Sequence, residues 1–560
     1  MNKLSIYPLA VILILSAVFA TVLVIPVCSK DITNPNILFN LQQLYGEKVQ
    51  AKNATNKHLT TISKLSLKSN RFNKANTFKT KSFNFAKAAL KQFQVQFKVG
   101  NSYNVKQFGA KGDGITDDQS AIVQAIARAK GTGLSVYFPP GNYLHSGLIL
   151  ADSVTLFGLG TSSVLTATNP TSGVVQLTGN SPSIRNLIIQ YASPASVNWQ
   201  WPNTSQQADA LWVQSANNFS INQVTIANSS NVGIEIGNSN VGTMSNTLVS
   251  NCYTYGLYVW GSNNIQIYYN TLTTDPVSTP FAYRFTPYDN TTNSIASQNL
   301  TFAYNTVQAN TLIANVSVGS IAGLQYSSIS NNQFIANAPP AGFNSPLTIA
   351  QSTLGTNPIA LNILVSGNVF SGNWSVPILV CVSDGSSVNA DYNPFFNGIE
   401  ITNKIINMPA STTNFAGVIA LINGNNVTVS SNFIDGGGAG ESRVVSNTLT
   451  GNISIFDNTI KNIMNNGINL APYNNVAGSG QVNVYNNHLS NCGISGGDIL
   501  HFSAAPGSSS YTGLSILNNN YAGPANTATY FIDCLVPSAG ITRTITGNTQ
   551  STVLPNNIVP

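Results

Sequence analysis

One short phrase returns along most of this chain. An apolar residue is followed by one or two polar residues, an Asn, one further residue and a second apolar residue. Ile267, Asn270 and Leu272 spell it, as do Phe302, Asn305 and Val307; Val429, Asn432 and Ile434; Ile455, Asn458 and Ile460; and Val484, Asn487 and Leu489. The Asn falls at Asn222, Asn246, Asn270, Asn305, Asn332, Asn368, Asn403, Asn432, Asn458, Asn487, Asn519 and Asn548, with gaps of 24 to 36 residues. A recurrence on that scale has the length of one supersecondary unit and marks a chain built by stacking like units. Pairs such as Ile453 and Ile455 have the period of strands, and Asn and Gly interrupt every few residues, so helices do not account for the pattern.

The Asn has a physical role in such a stack. At a tight corner it tolerates the left-handed backbone, and its amide can bond the Asn one level above and below. Each unit carries another strand ahead of the phrase, at residues 210–213, 233–236, 256–259, 378–382, 467–470 and 498–502. Some thirty residues and three strands per unit predict an all-β chain, a right-handed parallel β-helix solenoid of about 12 coils. An antiparallel propeller would want roughly 40–50 residues per blade. One helix precedes the strands. Thr116, Asp117 and Asp118 form its N-cap signal, and Ile122, Ala125, Ile126 and Ala129 line one apolar face. A helix there caps the open end of the first coil. Residues 105–108 read as a short strand, 109–114 as a loop, and Val136 to Tyr143 as a strand that turns at Pro139, Pro140 and Gly141.

The N-terminal hundred residues have another texture. Lys3 precedes an apolar run from Leu9 to Ile25, so residues 1–29 read as a signal peptide or membrane anchor, with cleavage favoured over retention. Residues 30–100 form a basic, low-complexity lead-in or spacer. From Lys30 to Lys98 there are thirteen Lys or Arg against Asp31 and Glu47, and Phe83 to Phe97 is weakly helical. From Gly131 onward six basic residues face thirteen acidic ones. The body, residues 101–555, is therefore mildly acidic and no nucleic-acid partner is expected. Cys252, Cys381, Cys492 and Cys534 lack the paired spacing of a metal or redox motif, and they read as buried free thiols.

The segment from Asn104 to Ile122 contains Val105, Phe108, Gly109, Asp113, Asp117 and Asp118. It resembles the opening of β-helices of the pectate-lyase superfamily, polygalacturonase-like and tailspike-like proteins among them, and Val136 to Tyr143 and Val154 to Gly160 continue the match. The resemblance is specific over about 60 residues, and the Asn coils extend it over most of the chain. It implies the β-helix fold and a polysaccharide partner. It does not imply one reaction, because such folds host several chemistries. Asp113, Asp117 and Asp118 are expected to fix the loop and the helix cap.

Stacking the first regular coils gives candidate site residues. If Leu211, Ile234 and Leu257 point inward, Trp212, Glu235 and Tyr258 form one outward column, and Asp209, Val232 and Tyr255 form the column before it. The resemblance to polygalacturonases implies carboxylates and a His on these coils. Asp209 matches the first carboxylate, but Val232 stands where another is expected and Tyr255 where the His is expected. Arg284 falls near the place of a conserved-type Arg without its companion Lys. That mechanism is therefore not carried over. Asp209 and Glu235 remain as the catalytic acid and base, with Cα atoms ~10 Å apart. Their carboxyls could then meet the ~6.5–9.5 Å separation of an inverting glycosidase. Trp212, Tyr255, Tyr258, Trp260 and Arg284 are the expected substrate-binding residues. Glu235 on a solvated face and Trp212 in packing are the alternative for this group. A calcium-dependent lyase would instead use Arg284 as base, with Asp275 and Asp289 in the same loop insertion, residues 275–301. His145, His488 and His501 are distant from one another in sequence and read as structural.

The expected protein is exported or held at the cell surface and acts on an acidic or cell-surface glycan. Hydrolysis is favoured over elimination, with no cofactor or metal expected unless calcium serves a lyase. A non-catalytic glycan-binding or structural surface β-helix remains the other reading. The oligomeric state is left open by the sequence.

Overall fold

A computed structural model of the chain describes residues 101–560 apart from interspersed segments, the longer of which are 196–207, 275–280, 287–295, 351–359, 382–395, 407–418, 471–479 and 504–511. Of residues 1–100 it describes two short strands, Val11–Ile12 and Ile25–Pro26, paired antiparallel. The chain divides into two units, Met1–Gly100 and Asn101–Pro560. The leader, the basic lead-in with its weak helix, Asp275 and Asp289 all lie outside the described residues, the two short strands apart. Among the described residues no helix is long and apolar enough to cross a membrane.

The second unit is a parallel β-helix. Its strands pair in parallel with the strand one coil earlier and one coil later, and three such stacks run side by side. In the first stack the order is unbroken from Ile149–Asp152 to Asn557–Ile558, so the solenoid continues past residue 555. Strands joined in parallel by crossovers of this kind wind in a right-handed sense. The predicted second strands all belong to this one stack.

The interior is a single apolar file. Leu211, Ile234 and Leu257 are fully buried and in register on successive coils, with Tyr283 following. Elsewhere in the file aromatic rings lie coil on coil, as with Phe334 and Phe370 at 4.7 Å between centroids. Cys252, Cys492 and Cys534 are buried free thiols.

The Asn ladder exists, with a different register from the one expected. Asn270, Asn305, Asn332 and Asn368 are buried, and each donates both its backbone N–H and its Nδ2 to the Oδ1 of the next, at 2.8–3.0 Å. The file continues through Asn403, Asn432, Asn458, Asn487 and Asn519 to Asn548. The left-handed residue is the one before the ladder Asn at every rung but Asn403: Tyr269, Tyr304, Asn331, Gly367, Ser431, Asp457, Asn486, Asn518 and Gly547 all have positive φ. Asn246 is itself such a corner residue, at φ 52. Its neighbour Thr247 occupies the ladder and donates its N–H to Asn270 Oδ1 at 3.0 Å. Asn222 lies in register with Ser245, two places ahead of the file. The corner needs a backbone bend that several residue types supply, whereas the buried rung needs one amide that both donates and accepts.

The N-terminal end differs in detail from the sequence reading. The helix α1 (Gln119–Ala129) buries Ala121, Ile122, Ala125, Ile126 and Ala129 against the first coils. Residues Val105–Phe108 form a 3-10 turn, not a strand, because Asn104 caps it through its side chain and Gly109 ends it at φ 102. Asp118 does not cap α1 with its side chain. Its carboxylate accepts from the N–H groups of Lys111 and Gly112 at 2.6 and 2.9 Å and so ties down the preceding loop. Asp113 accepts from Thr116 and Ile115, whose backbone N–H groups hold its carboxyl down to about 2. Both carboxylates are thus engaged in holding the loop ahead of α1.

Candidate active site

Four strands of the first stack build the candidate site: β1 (Leu211–Ser229), β2 (Ile234–Gly237), β3 (Tyr255–Trp260) and β4 (Phe281–Thr286). Because alternate side chains leave opposite faces, the inward file fixes the outward one. Trp212, Glu235, Tyr258 and Arg284 are in register on these strands, in that order. Arg284 therefore sits on a strand, not in a loop insertion. Its strand continues the stack between β3 and Gly319–Ala322.

This outward face is not open. Val232, Tyr255, Tyr258 and Trp260 form an apolar cluster separate from the interior file, with Phe281 packed against it. Asp209 and Glu235 are both 0% exposed. Glu235 is therefore no solvated surface residue. The Trp260 indole donates its Nε1–H to Glu235 Oε1 at 2.7 Å. It can lie back over β2 because its register partner is Gly237, where any Cβ would collide with the ring.

Asp209 is fastened on one side only. Its Oδ1 accepts from Asn231 Nδ2 at 2.8 Å and from the Val232 N–H at 3.1 Å. Its Oδ2 is buried and has no partner in regular hydrogen-bond geometry, and the buried Trp212 Nε1–H is in the same condition. Burial pushes the Asp209 carboxyl well above the usual carboxylate range. The negative charge of Glu235 and a side-chain contact with it act in the same direction, against the Val232 and Asn231 donors. The two carboxyls are thus interacting neighbours on adjacent coils. Two neighbouring buried carboxyls disfavour ionisation of both at once.

The remaining residues fall into a second small group. Arg284 donates from Nη1 to the Tyr255 hydroxyl at 2.9 Å, and its guanidinium lies 5.8 Å from the centre of that ring. Tyr255 stacks on Tyr258 at 5.3 Å. The Tyr258 hydroxyl is hydrogen-bonded with Thr286 Oγ1 at 3.1 Å, and burial raises its phenol, so it stays protonated. The structure brings all seven predicted residues onto one face. The sequence reading missed Asn231 and Gly237. The signal for both was the coil period, which sets Asn231 beside Asp209 and Gly237 beside Trp260.

The residues here do not suit a calcium ion. Calcium takes six to eight oxygens, whereas Asp209 Oδ1 and Glu235 Oε1 already accept from fixed N–H donors. His145 bonds the Gly147 carbonyl and is fully buried. His501, distant from the other two histidines in sequence, lies between two carboxylates, Asp498 and Asp533.

Residues 102–326 match the family described as rhamnogalacturonase A/epimerase, pectate lyase-like. Among curated proteins the chain is similar to alginate lyase 7 of Azotobacter vinelandii, 49% identical over 67 residues, and to the mannuronan C5-epimerase AlgE6 of the same organism, 50% identical over 68 residues. Each match covers 10% of this chain and 8% of the relative. Among solved structures, the surface adhesin PfbA of Streptococcus pneumoniae superposes over 72% of this chain and 93% of its own, with 18% identity and a TM-score of 0.51. The N-terminal fragment of bacteriophage phi29 gene product 12 covers 77% of this chain and 73% of its own, with 15% identity and a TM-score of 0.53. These two likenesses are of fold.

Proposed function

We propose that this parallel β-helix, whose residues 102–326 match a pectate lyase-like family, is an exported protein that cleaves glycosidic bonds in an acidic or cell-surface polysaccharide. The observation that carries this reading is the buried contact between Asp209 and Glu235 on the outward face. A like-charge pair without exposure costs stability, and the β-helix does not need it, since other outward positions carry ordinary residues. Strongly perturbed carboxyls of this kind concentrate where proton transfer is the task. The buried Trp212 Nε1–H, which has no hydrogen-bond partner, adds a polar atom that a bound sugar would satisfy.

In this reading Asp209, kept protonated, gives its proton to the leaving glycosidic oxygen. Glu235, whose charge the Trp260 N–H stabilises, takes a proton from the water that attacks the anomeric carbon. The sugar enters between the two carboxyls and parts them. Arg284 pairs with a substrate carboxylate, and Trp212, Tyr255, Tyr258 and Trp260 supply the apolar and hydrogen-bonding wall. Export rests on the apolar run from Leu9 to Ile25.

The test is incubation of the purified protein with a panel of acidic and neutral polysaccharides, with reducing ends and product masses measured. Hydrolysis gives saturated fragments carrying new reducing ends. Asp209→Asn and Glu235→Gln should each abolish release while leaving the melting transition in place. Full rate in both variants removes these residues from catalysis. Unsaturated products would replace hydrolysis by elimination, and binding without products would leave a non-catalytic surface protein.

A further inference from the structure

The outward column that carries Glu235 runs on to the far end of the solenoid. There it passes through β5 (Ile468–Leu470), β6 (Leu500–Phe502), β7 (Ile532–Cys534) and β8 (Asn557–Ile558). Asn469, His501, Asp533 and Asn557 are in register on these four strands. Asp498 enters just before β6, three residues ahead of His501, as Asp209 precedes Trp212 by three.

Two carboxylate oxygens converge on one ring nitrogen. His501 Nδ1 lies 2.9 Å from Asp498 Oδ2 and 2.8 Å from Asp533 Oδ2. A single N–H serves one acceptor well, so a second carboxylate at the same atom is more negative charge than one imidazole needs. Both carboxylates are also held from behind. Asp498 Oδ1 accepts from the Tyr530 N–H at 3.1 Å, and Asp533 Oδ1 accepts from Asn557 Nδ2 at 2.7 Å. Outer partners that leave one oxygen of each carboxylate aimed at a common point are the support that metal ligands have. One potential ligand atom from each of the three residues lies within 4.8 Å of the other two.

A separate observation points to a ligand. Asn469 stands one strand below His501 on the same outward face. It is 5% exposed, and its Oδ1 is buried with no hydrogen-bond partner. A buried amide oxygen without a donor is costly unless something electropositive meets it.

We propose that Asp498, His501 and Asp533, with the carbonyl oxygen of Asn469, bind one divalent transition-metal ion that staples three consecutive coils together. An imidazole nitrogen with carboxylate and amide oxygens suits zinc and its first-row neighbours, while calcium and magnesium take oxygen sets. Four ligands about 2.0–2.1 Å from an ion stand roughly 3.3 Å apart. The two contacts at Nδ1 then lengthen by about half an ångström, within reach of side-chain rotation. As the ion takes Nδ1, the ring keeps one proton on Nε2 and releases a second only if it was imidazolium, and two carboxylates neutralise the ion's double charge.

The test uses the full chain freed of metal by a chelator and titrated with Zn²⁺ by calorimetry, in two buffers of different ionisation enthalpy. Wild-type protein should bind one Zn²⁺ per chain with release of at most about one proton, and its melting temperature should rise. His501→Gln, which preserves a donor to one carboxylate, and Asp533→Asn should each weaken binding at least about tenfold and lose the melting shift while remaining folded. Co²⁺ bound to wild type should give a visible ligand-field spectrum that His501→Gln lacks. Absence of saturable Zn²⁺ binding, or unchanged binding in His501→Gln, overturns the site. Equal affinity for Ca²⁺ overturns the assignment to a transition metal.

Discussion

Trp260 donates to Glu235 from the next coil of the solenoid, at 2.7 Å, by lying across Gly237. One missing side chain thus decides whether the carboxylate has its N–H. In the absence of a Cβ at residue 237 the indole reaches back two positions along the neighbouring strand to Glu235.

Trp260→Phe keeps the ring and deletes the donor. Loss of a hydrogen bond to a buried charged group costs about 1.5–3 kcal/mol. We expect a lower melting temperature and a fall in polysaccharide cleavage of at least about tenfold. Gly237→Ala should reproduce much of this by displacing the indole, at about 1–3 kcal/mol of overpacking. Initial rates and thermal melts of the two variants check both statements, and wild-type rates in Trp260→Phe would remove this bond from the mechanism.

Asp209 gives the stability a pH dependence of definite sign. Its carboxyl is raised in the folded protein, chiefly by burial and then by Glu235. Below the ordinary carboxylate value of about 4 both folded and unfolded chains hold the proton, and the contribution is fully present. As pH rises, the unfolded chain ionises first, so stability falls until the folded carboxyl ionises too, by up to about 1.4 kcal/mol per pH unit. Asp209→Asn cannot ionise. Its melting temperature should therefore gain on that of wild type as pH is raised from about 4 toward 8. Parallel melting curves across that range would show that Asp209 is not raised.

Arg284 is expected to act in binding. Arg284→Gln removes the guanidinium from Tyr255 and from any substrate carboxylate. KM for a uronate-bearing polysaccharide should rise about tenfold or more while kcat changes far less. A neutral glycan should show no such rise. A fall in kcat at constant KM would place Arg284 in the chemical step instead.

The ladder and the corner can be separated by substitution. Asn332→Ala deprives two buried donors, the N–H and Nδ2 of Asn305, of their acceptor. At about 1–3 kcal/mol for each stranded group, a marked drop in melting temperature follows. Asn246→Gly keeps the left-handed corner that Asn246 occupies at φ 52 and should be close to neutral. Comparable losses in the two variants would contradict the assignment of Asn246 to the corner.

The recurring phrase made the fold legible because strand alternation and coil length are local properties. Leu211, Ile234 and Leu257 were readable as inward, and Trp212, Glu235, Tyr258 and Arg284 as vertical neighbours once the coils were aligned. The reading slipped where a corner intervenes. Asn246 was placed in the ladder although Thr247 holds that rung, since the sequence shows an Asn at either place and only the backbone bend distinguishes them. It also read His501 only as structural, without the two carboxylates beside it, which come from three residues earlier and from the following coil.

The amino-acid order by itself thus determined the period, the inward and outward faces and the column that bears the candidate site. The tertiary structure decided the distances across coils. Periodicity specifies which residues share a column, but how far a carboxyl or an indole leans toward its neighbour depends on what packs around it. The contact of Asp209 with Glu235 and the meeting of Asp498 and Asp533 at one nitrogen of His501 exist only in three dimensions.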